Sequence, residues 1–185
     1  MTPQLDVADG SASPLPGSQN WKDGCPFPQW STTSDAVWCL VRDGIVRRQL
    51  GSGEEKGRVQ FERTSVNVPL SPDGRWVAFM DKNRTVNLAP VAGGERRRIF
   101  RLESTNDNCW LTWTPDSRYV LCLNEGQVWC IPASGGEARK LAILVKGLRR
   151  LVVHPDGKRV AMWVQEPGSE IWVLENFLPR MAGAR

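Results

Sequence analysis

A Pro-Asp turn recurs three times along the chain at nearly constant spacing. The copies are Ser71-Pro72-Asp73-Gly74, Thr114-Pro115-Asp116-Ser117 and His154-Pro155-Asp156-Gly157, and a run of alternating apolar residues follows each one. Their prolines are 43 residues (115 − 72) and 40 residues (155 − 115) apart. This interval fits one four-stranded unit of a repeat protein and is too short for a β-α-β unit with a linker.

The residue types at the turn have a structural explanation. Proline fixes φ at the value required by the second position of a turn, aspartate accepts a hydrogen bond from the backbone two residues on, and glycine permits a left-handed exit. No catalytic partner recurs with them. We therefore interpret eight positions as structural turn residues: Pro72, Asp73, Gly74, Pro115, Asp116, Pro155, Asp156 and Gly157.

Three further features recur in register with the turn. A strand is predicted directly after it, at 75–79, 118–122 and 158–162, and a second strand at 85–88, 127–131 and 170–174. Paired glycines at 93–94 and 135–136 then predict a reversal into outer strands at 97–100 and 139–143. A degenerate fourth copy lies upstream, where 36–40 aligns with 75–79 at an offset of 39 to 40 residues.

The repeated Ser-Pro-Asp-Gly-Arg turn with the later Ile-Trp-Val strand resembles the TolB-like β-propeller repeats, which are relatives of the WD-repeat propellers. The resemblance covers residues 21–179 and implies an all-β, partial β-propeller of about four four-stranded antiparallel blades. We place these blades at about 21–60, 61–102, 103–147 and 148–179. Residues 1–20 lack periodicity and are predicted to be a flexible leader, with a short tail at 180–185.

The resemblance implies a non-catalytic interaction or sensing module with a protein or peptide partner. Related propellers often follow a serine/threonine kinase or winged-helix domain in large bacterial proteins, and usually have about six to eight blades. The chain is thus expected to be the C-terminal part of such a protein, although it contains no kinase or Walker motif. The alternatives are the propeller part of a prolyl-oligopeptidase-like hydrolase and a basic-faced nucleic-acid-binding module.

Residues that could carry chemistry are few. His154 is the only histidine and occupies the turn position of Ser71 and Thr114, and the chain has no Gly-x-Ser-x-Gly nucleophile motif. The five cysteines include no Cys-x-x-Cys pair, so buried thiols in a reducing compartment are favoured over a disulfide or a metal site. We predict no catalytic, metal or cofactor residues.

The charge and hydropathy patterns limit the partners. The net charge of +4 comes with clusters at Arg47-Arg48, Arg96–Arg98, Arg139-Lys140 and Arg149-Arg150, most of them expected near outer strands, where cations deter sheet aggregation. Aromatic residues do not alternate with these clusters, so a nucleic-acid partner is not expected. Neither an apolar run of about 20 residues nor a signal peptide is visible, which predicts no membrane association and a cytoplasmic location, or an extracytoplasmic one if the true start lies upstream.

The ends of the repeat array are expected to be open. The last copy has no outer strand, and the flanks of the first and last blades, near Trp38 and Trp172, are predicted to expose apolar surface. Trp21, Trp30 and Trp110 lie near turns and are candidates for exposure. We therefore expect self-association, for example as a dimer of two half-propellers, or poor solubility.

Overall fold

The chain folds almost entirely into β-strands. The computed structural model describes residues 3–5, 12–15, 17–21, 24–64, 67–104, 109–143, 145–165 and 170–175. They contain a short hairpin of β1 (Pro3–Leu5) and β2 (Ala12–Pro14), a 3₁₀ turn at Ser18–Asn20 and fourteen further strands, with no α-helix among these residues. No helix in the described part of the chain is long and apolar enough to cross a membrane. The all-β prediction is confirmed.

The fourteen strands form four antiparallel sheets, in which each strand pairs with the next one along the chain. Blade 1 contains β3 (Gln29–Trp30), β4 (Ala36–Val41), β5 (Gly44–Gln49) and β6 (Glu55–Gln60). Blade 2 contains β7 (Trp76–Met80), β8 (Thr85–Pro90) and β9 (Arg97–Arg101). Blade 3 contains β10 (Cys109–Trp113), β11 (Tyr119–Asn124), β12 (Gln127–Pro132) and β13 (Arg139–Lys140). Blade 4 contains β14 (Leu148–Val153), β15 (Arg159–Val164) and β16 (Glu170–Glu175).

The four predicted blades are confirmed, with three or four strands each. In blade 2 a single bridge between Leu70 and Val77 takes the place of a first strand. The four sheets lie inside the four segments expected from the repeat spacing, and the boundaries between blades stay a prediction.

The blades pack face to face in chain order, with an apolar layer between each neighbouring pair. Strand β11 shows how one strand serves two layers. Val120 and Cys122 pack towards blade 2, whereas Leu121 and Leu123 pack towards blade 4. Because both faces of such a strand are buried, its sequence is a continuous apolar run instead of an alternating one.

The first strands of neighbouring blades are joined by side chains. The Gln29 amide of blade 1 donates to the carbonyl oxygen of Val68 at 2.8 Å and accepts from the backbone N–H of Leu70 at 2.7 Å. The Trp110 indole of blade 3 donates to the carbonyl oxygen of Leu151 in blade 4 at 3.0 Å. These bonds hold the innermost strands of successive blades together.

The N-terminal residues cover the flank of blade 1 that faces away from blade 2. A buried layer on this flank joins three of these residues to three strand residues: Leu15, Trp21 and Cys25 to Val37, Cys39 and Val46. The flexible leader over 1–20 stays a prediction, but the structure packs part of it, because Leu15 is only 4% exposed and β2 pairs with β1. Contacts across the fold order a segment that has no periodic pattern of its own.

A disulfide fastens this N-terminal segment. Cys25 and Cys39 are bonded, with their Cα atoms 4.8 Å apart. The expectation of five buried thiols is wrong for this pair, since the 14-residue separation gives no sequence signal. Cys109, Cys122 and Cys130 are buried, as expected.

The tryptophans divide differently from the prediction. Trp21 is buried beneath the N-terminal segment, so it is not exposed as expected, and Trp38 is buried in the layer between blades 1 and 2. Trp30 is 54% exposed, as predicted, and Trp110 is half-buried. The side chain of Trp172 lies outside the described part of the structure.

Candidate interaction surfaces

The first two Pro-Asp turns are closed by the same set of hydrogen bonds. In the first, the N–H of Gly74 donates to the Ser71 carbonyl at 2.8 Å, and the N–H of Arg75 donates to Oδ1 of Asp73 at 3.0 Å. The Ser71 hydroxyl donates to Asp73 at 2.5 Å and accepts from the N–H of Trp76 at 2.9 Å. Thr114 and Asp116 repeat this arrangement, so Pro72 and Pro115 both lie inside hydrogen-bonded turns.

The third turn replaces the hydroxyl with an imidazole. Nδ1 of His154 accepts from the N–H of Asp156 at 3.2 Å, after Pro155, and the N–H of Gly157 closes the turn onto the His154 carbonyl at 2.9 Å. The backbone N–H of Lys158 holds the pKa of Asp156 below its usual range, and Arg159 and His154 act in the same direction. The second imidazole nitrogen lies 3.5 Å from Nη2 of Arg159, and no hydroxyl or thiol of the described residues is hydrogen-bonded to it.

The degenerate turn of blade 1 keeps the geometry without the Pro-Asp pair. Ser31 binds the backbone of Ala36 as Ser71 binds that of Trp76, and Ser34 takes the glycine position at φ 58°. The bond pattern therefore aligns Ala36 with Trp76, not with Arg75. The predicted alignment is wrong by one residue, a shift that exchanges the two faces of a strand.

The four turns lie in a row and touch one another. A Cβ built on Gly74 would meet Cγ2 of Thr32 in the blade 1 turn at 2.7 Å, so any other residue here would displace the Thr32 side chain. The N–H of Asp73 donates to the hydroxyl of Ser117 in the blade 3 turn at 3.0 Å. A Cβ on Gly157 would lie 4.0 Å from Pro115. The turns thus join successive blades along one face, besides reversing the chain.

The four basic clusters lie on four different blades. Arg96 donates to the carbonyl of Gln60 in blade 1 at 2.7 Å, and Arg97 to that of Ala133 in blade 3 at 2.9 Å. Arg47 pairs with Asp35 at 2.9 Å. The expectation that most clusters lie near outer strands is wrong, because Arg47-Arg48 is on β5 and Arg149-Arg150 on the first strand of blade 4.

An open groove of about 1490 Å³ runs between blades 1 and 2. Its floor includes Phe61 and Phe79, whose rings stack with centroids 4.1 Å apart, and the Arg96 guanidinium lies 6.0 Å from the Phe79 centroid. The charged lining is mixed in sign: Arg42, Arg63, Lys82, Arg96, Arg97 and Arg98 with Asp43, Glu62, Asp81 and Glu95. Such a lining lacks the single-sign field that attracts a nucleic-acid backbone. Sequence reasoning missed the groove, because Phe61 follows β6 outside the repeated features recognised in the sequence.

The face of blade 4 that points away from blade 3 has an apolar centre that is uncovered in the described part of the chain. Ile171 is 80% exposed, Val173 64% and Val152 56%. Ala161 lies between the two valines in the register, opposite both of them. At the edge, the Arg150 guanidinium lies 4.8 Å from the Trp110 ring and 5.3 Å from that of Trp163. The prediction of exposed apolar surface thus holds for the last blade, whereas the first is covered.

The comparisons with known proteins agree on the architecture. The chain matches TolB from Acinetobacter baumannii with a TM-score of 0.65 and 17% identity, over 80% of this chain and 40% of TolB. The fold is a β-propeller fold. The propeller domain of Cps50 (Swd1) from Myceliophteria thermophila matches with a TM-score of 0.63 and 12% identity, over 94% of this chain and 63% of that one.

No family model matches the propeller segment. A sequence relative is tricorn protease homolog 1 from Streptomyces coelicolor, which is 27% identical over 162 residues. The match covers 77% of this chain, which spans only 14% of the length of that relative.

Proposed function

We propose that the chain is a non-catalytic β-propeller module that binds a protein partner through the open face of blade 4. The observation that carries this proposal is the asymmetry of the two end flanks. The N-terminal segment covers blade 1, whereas Ile171 and Val173 of blade 4 remain largely exposed. Exposed apolar surface on a sheet face favours association, since burying it releases the hydrating water.

The partner that fits this face is the apolar face of another blade. Every covered blade face between blades 1 and 4 packs against a neighbouring sheet, so the same surface chemistry supports a further blade. In the isolated chain, a second copy of the chain supplies this further blade face. Because Leu15, Trp21 and Cys25 cover blade 1, the two copies meet through their blade 4 faces, in a two-fold dimer instead of a head-to-tail ring.

Light scattering coupled to size-exclusion chromatography tests this proposal. We expect a dimer for the natural chain and a monomer for Val173→Glu, because a buried unpaired carboxylate on each copy opposes association. Phe27→Glu is the matched control, since Phe27 is 53% exposed but lies outside the face, and this variant should remain dimeric. A folded monomer of the natural chain over a broad concentration range contradicts the proposal.

We propose further that this module is part of a larger bacterial regulatory protein, linked to a kinase or winged-helix domain. The share of TolB that this chain matches supports a partial propeller, because it is only 40% of the TolB chain. The Cys25–Cys39 disulfide favours an oxidising compartment, and therefore the extracytoplasmic of the two locations considered from the sequence.

A second candidate function is a propeller segment of a protease, which the match to tricorn protease homolog 1 favours. This chain has no Gly-x-Ser-x-Gly nucleophile motif. Its only histidine is held in a turn by Asp156 and Arg159. If the chain belongs to a protease, we propose that it binds and positions substrate or neighbouring domains and does not cleave peptides itself.

A further inference from the structure

Two buried thiols meet in the core between blades 2 and 3. Cys109 lies on β10 and Cys122 on β11, and they are 2% and 0% exposed. Their sulfur atoms are 2.6 Å apart. Non-bonded carbon atoms prefer about 3.5–4.0 Å and sulfur is larger, whereas a disulfide bond measures about 2.05 Å. The separation is thus shorter than an ordinary contact and nearer to the length of a covalent bond.

The strand register explains why these two cysteines meet. Cys109 pairs with Asn124 and Leu111 with Cys122, so both thiols lie on the same sheet face as diagonal neighbours. Cys130 of β12 pairs with Leu121 and packs towards blade 4, on the opposite face of the same sheet. Cys122 therefore has Cys109 as its partner and not Cys130, although Cys130 is nearer in sequence.

We infer that Cys109 and Cys122 form a second disulfide, which links the first two strands of blade 3. The Cys25–Cys39 bond shows that the same chain already carries one disulfide. Nothing in the proposed partner binding depends on the second bond, so the two proposals fail independently.

The oxidant is a low-molecular-weight disulfide such as oxidised glutathione. One cysteine thiolate attacks it, forms a mixed disulfide and releases one glutathione thiolate. The second cysteine thiolate then attacks the mixed disulfide and releases the second glutathione, so two thiols are oxidised while one disulfide is reduced. The hydrogen bond with Cys122 and burial raise the pKa of Cys109 in the folded chain, which leaves little thiolate, so we place the reaction during folding, before blades 2 and 3 close.

Thiol counting after refolding tests this inference. The reduced, denatured chain is refolded in a glutathione redox buffer, quenched with acid, and alkylated in denaturant. Five cysteines minus two pairs leave one alkylated residue per chain, Cys130, and Cys130→Ala should leave none. Peptide mapping with trypsin and a glutamate-specific protease identifies the pair, because Arg118 separates Cys109 from Cys122 and Glu125 separates Cys122 from Cys130. We expect peptide 104–118 to be linked to peptide 119–125.

The Cys25–Cys39 bond is the internal control for oxidising conditions. Three alkylated cysteines in chains that contain this bond overturn the inference, as does a link from Cys130 to either thiol. Five alkylated cysteines in a folded chain, under excess oxidised glutathione, also overturn it. A Cys122→Ala variant should leave Cys109 and Cys130 alkylated and keep the Cys25–Cys39 link, which shows that the missing label in the natural chain comes from this pair.

Discussion

At the scale of single residues, the hydroxyl before each of the first two Pro-Asp pairs has two partners. Oγ1 of Thr114 donates to Asp116 at 2.6 Å and accepts from the N–H of Tyr119 at 3.1 Å. The aspartate in turn accepts from the backbone two residues on, which is the geometry of an Asx turn. The side chains thus satisfy backbone groups at the point where the chain enters the second strand of the blade.

We predict that Asp73→Ala and Asp116→Ala each lower the free energy of unfolding by about 1 kcal/mol, because each removes an acceptor for a backbone N–H and for a hydroxyl. In a chain of this size that loss corresponds to a Tm about 2–4 °C lower. Thermal unfolding followed by circular dichroism measures it. Glu62→Ala is the control, since its ion pair with Lys82 is largely exposed and should contribute little. An unchanged Tm in both aspartate variants refutes the turn assignment.

At the scale of elements, the N-terminal segment acts as a cover for blade 1. Its backbone passes so near the turn between β5 and β6 that a Cβ on Gly17 would lie 2.6 Å from the nitrogen of Gly53. Gly17 has φ 80°, which also favours glycine. The disulfide then fixes the end of the same segment to β4.

The Gly17→Ala variant should be less stable than Gly51→Ala by at least about 1 kcal/mol, because the added methyl group displaces the cover. Gly51 is a matched control, since its φ of 85° is nearly the same but a Cβ there meets nothing within 4 Å. Denaturant unfolding measures the free energy of unfolding of both variants. Because both glycines have a positive φ, the difference between the variants reports the steric contact at Gly17 and not the backbone strain. Equal stabilities would mean that the segment does not pack as described.

At the scale of the whole molecule, the four blades form an array with two different ends. Each interface is built from consecutive blades, so no contact closes the array into a ring among the described residues. The cover at blade 1 and the apolar face at blade 4 give the array a direction. This asymmetry, and not any residue constellation, is the basis of the proposed partner binding.

We predict that the chain hydrolyses ester and peptide substrates only at the background rate, because the ring of His154 faces a carboxylate and a guanidinium instead of a nucleophile. Fluorogenic peptides and nitrophenyl esters measure the rate, and His154→Ala should give the same value. Turnover that disappears in His154→Ala would identify the chain as a hydrolase and end the scaffold interpretation.

The features that could be predicted from the sequence are those with local causes. The Pro-Asp turns and the strands after them follow from turn chemistry and apolar runs within about ten residues. Strand β3, with only Gln29–Trp30, is too short to show a pattern. The cover of blade 1 depends on contacts between residues far apart in the sequence, such as that of Leu15 with the β4 and β5 layer. The one-residue error in the alignment at Ala36 arose because only the hydrogen bonds fix which residues of the blade 1 turn match those of the blade 2 turn.

The one-sided cover also determines how cooperative the molecule is. In an array where each unit contacts only its neighbours, the stability of a unit depends on how many of its flanks are filled. Blade 1 is packed on both sides by its cover and by blade 2, whereas blade 4 is packed against blade 3 alone among the residues that the structure describes. Local opening therefore begins at blade 4 and advances towards blade 1, and a partner bound at blade 4 protects every blade behind it.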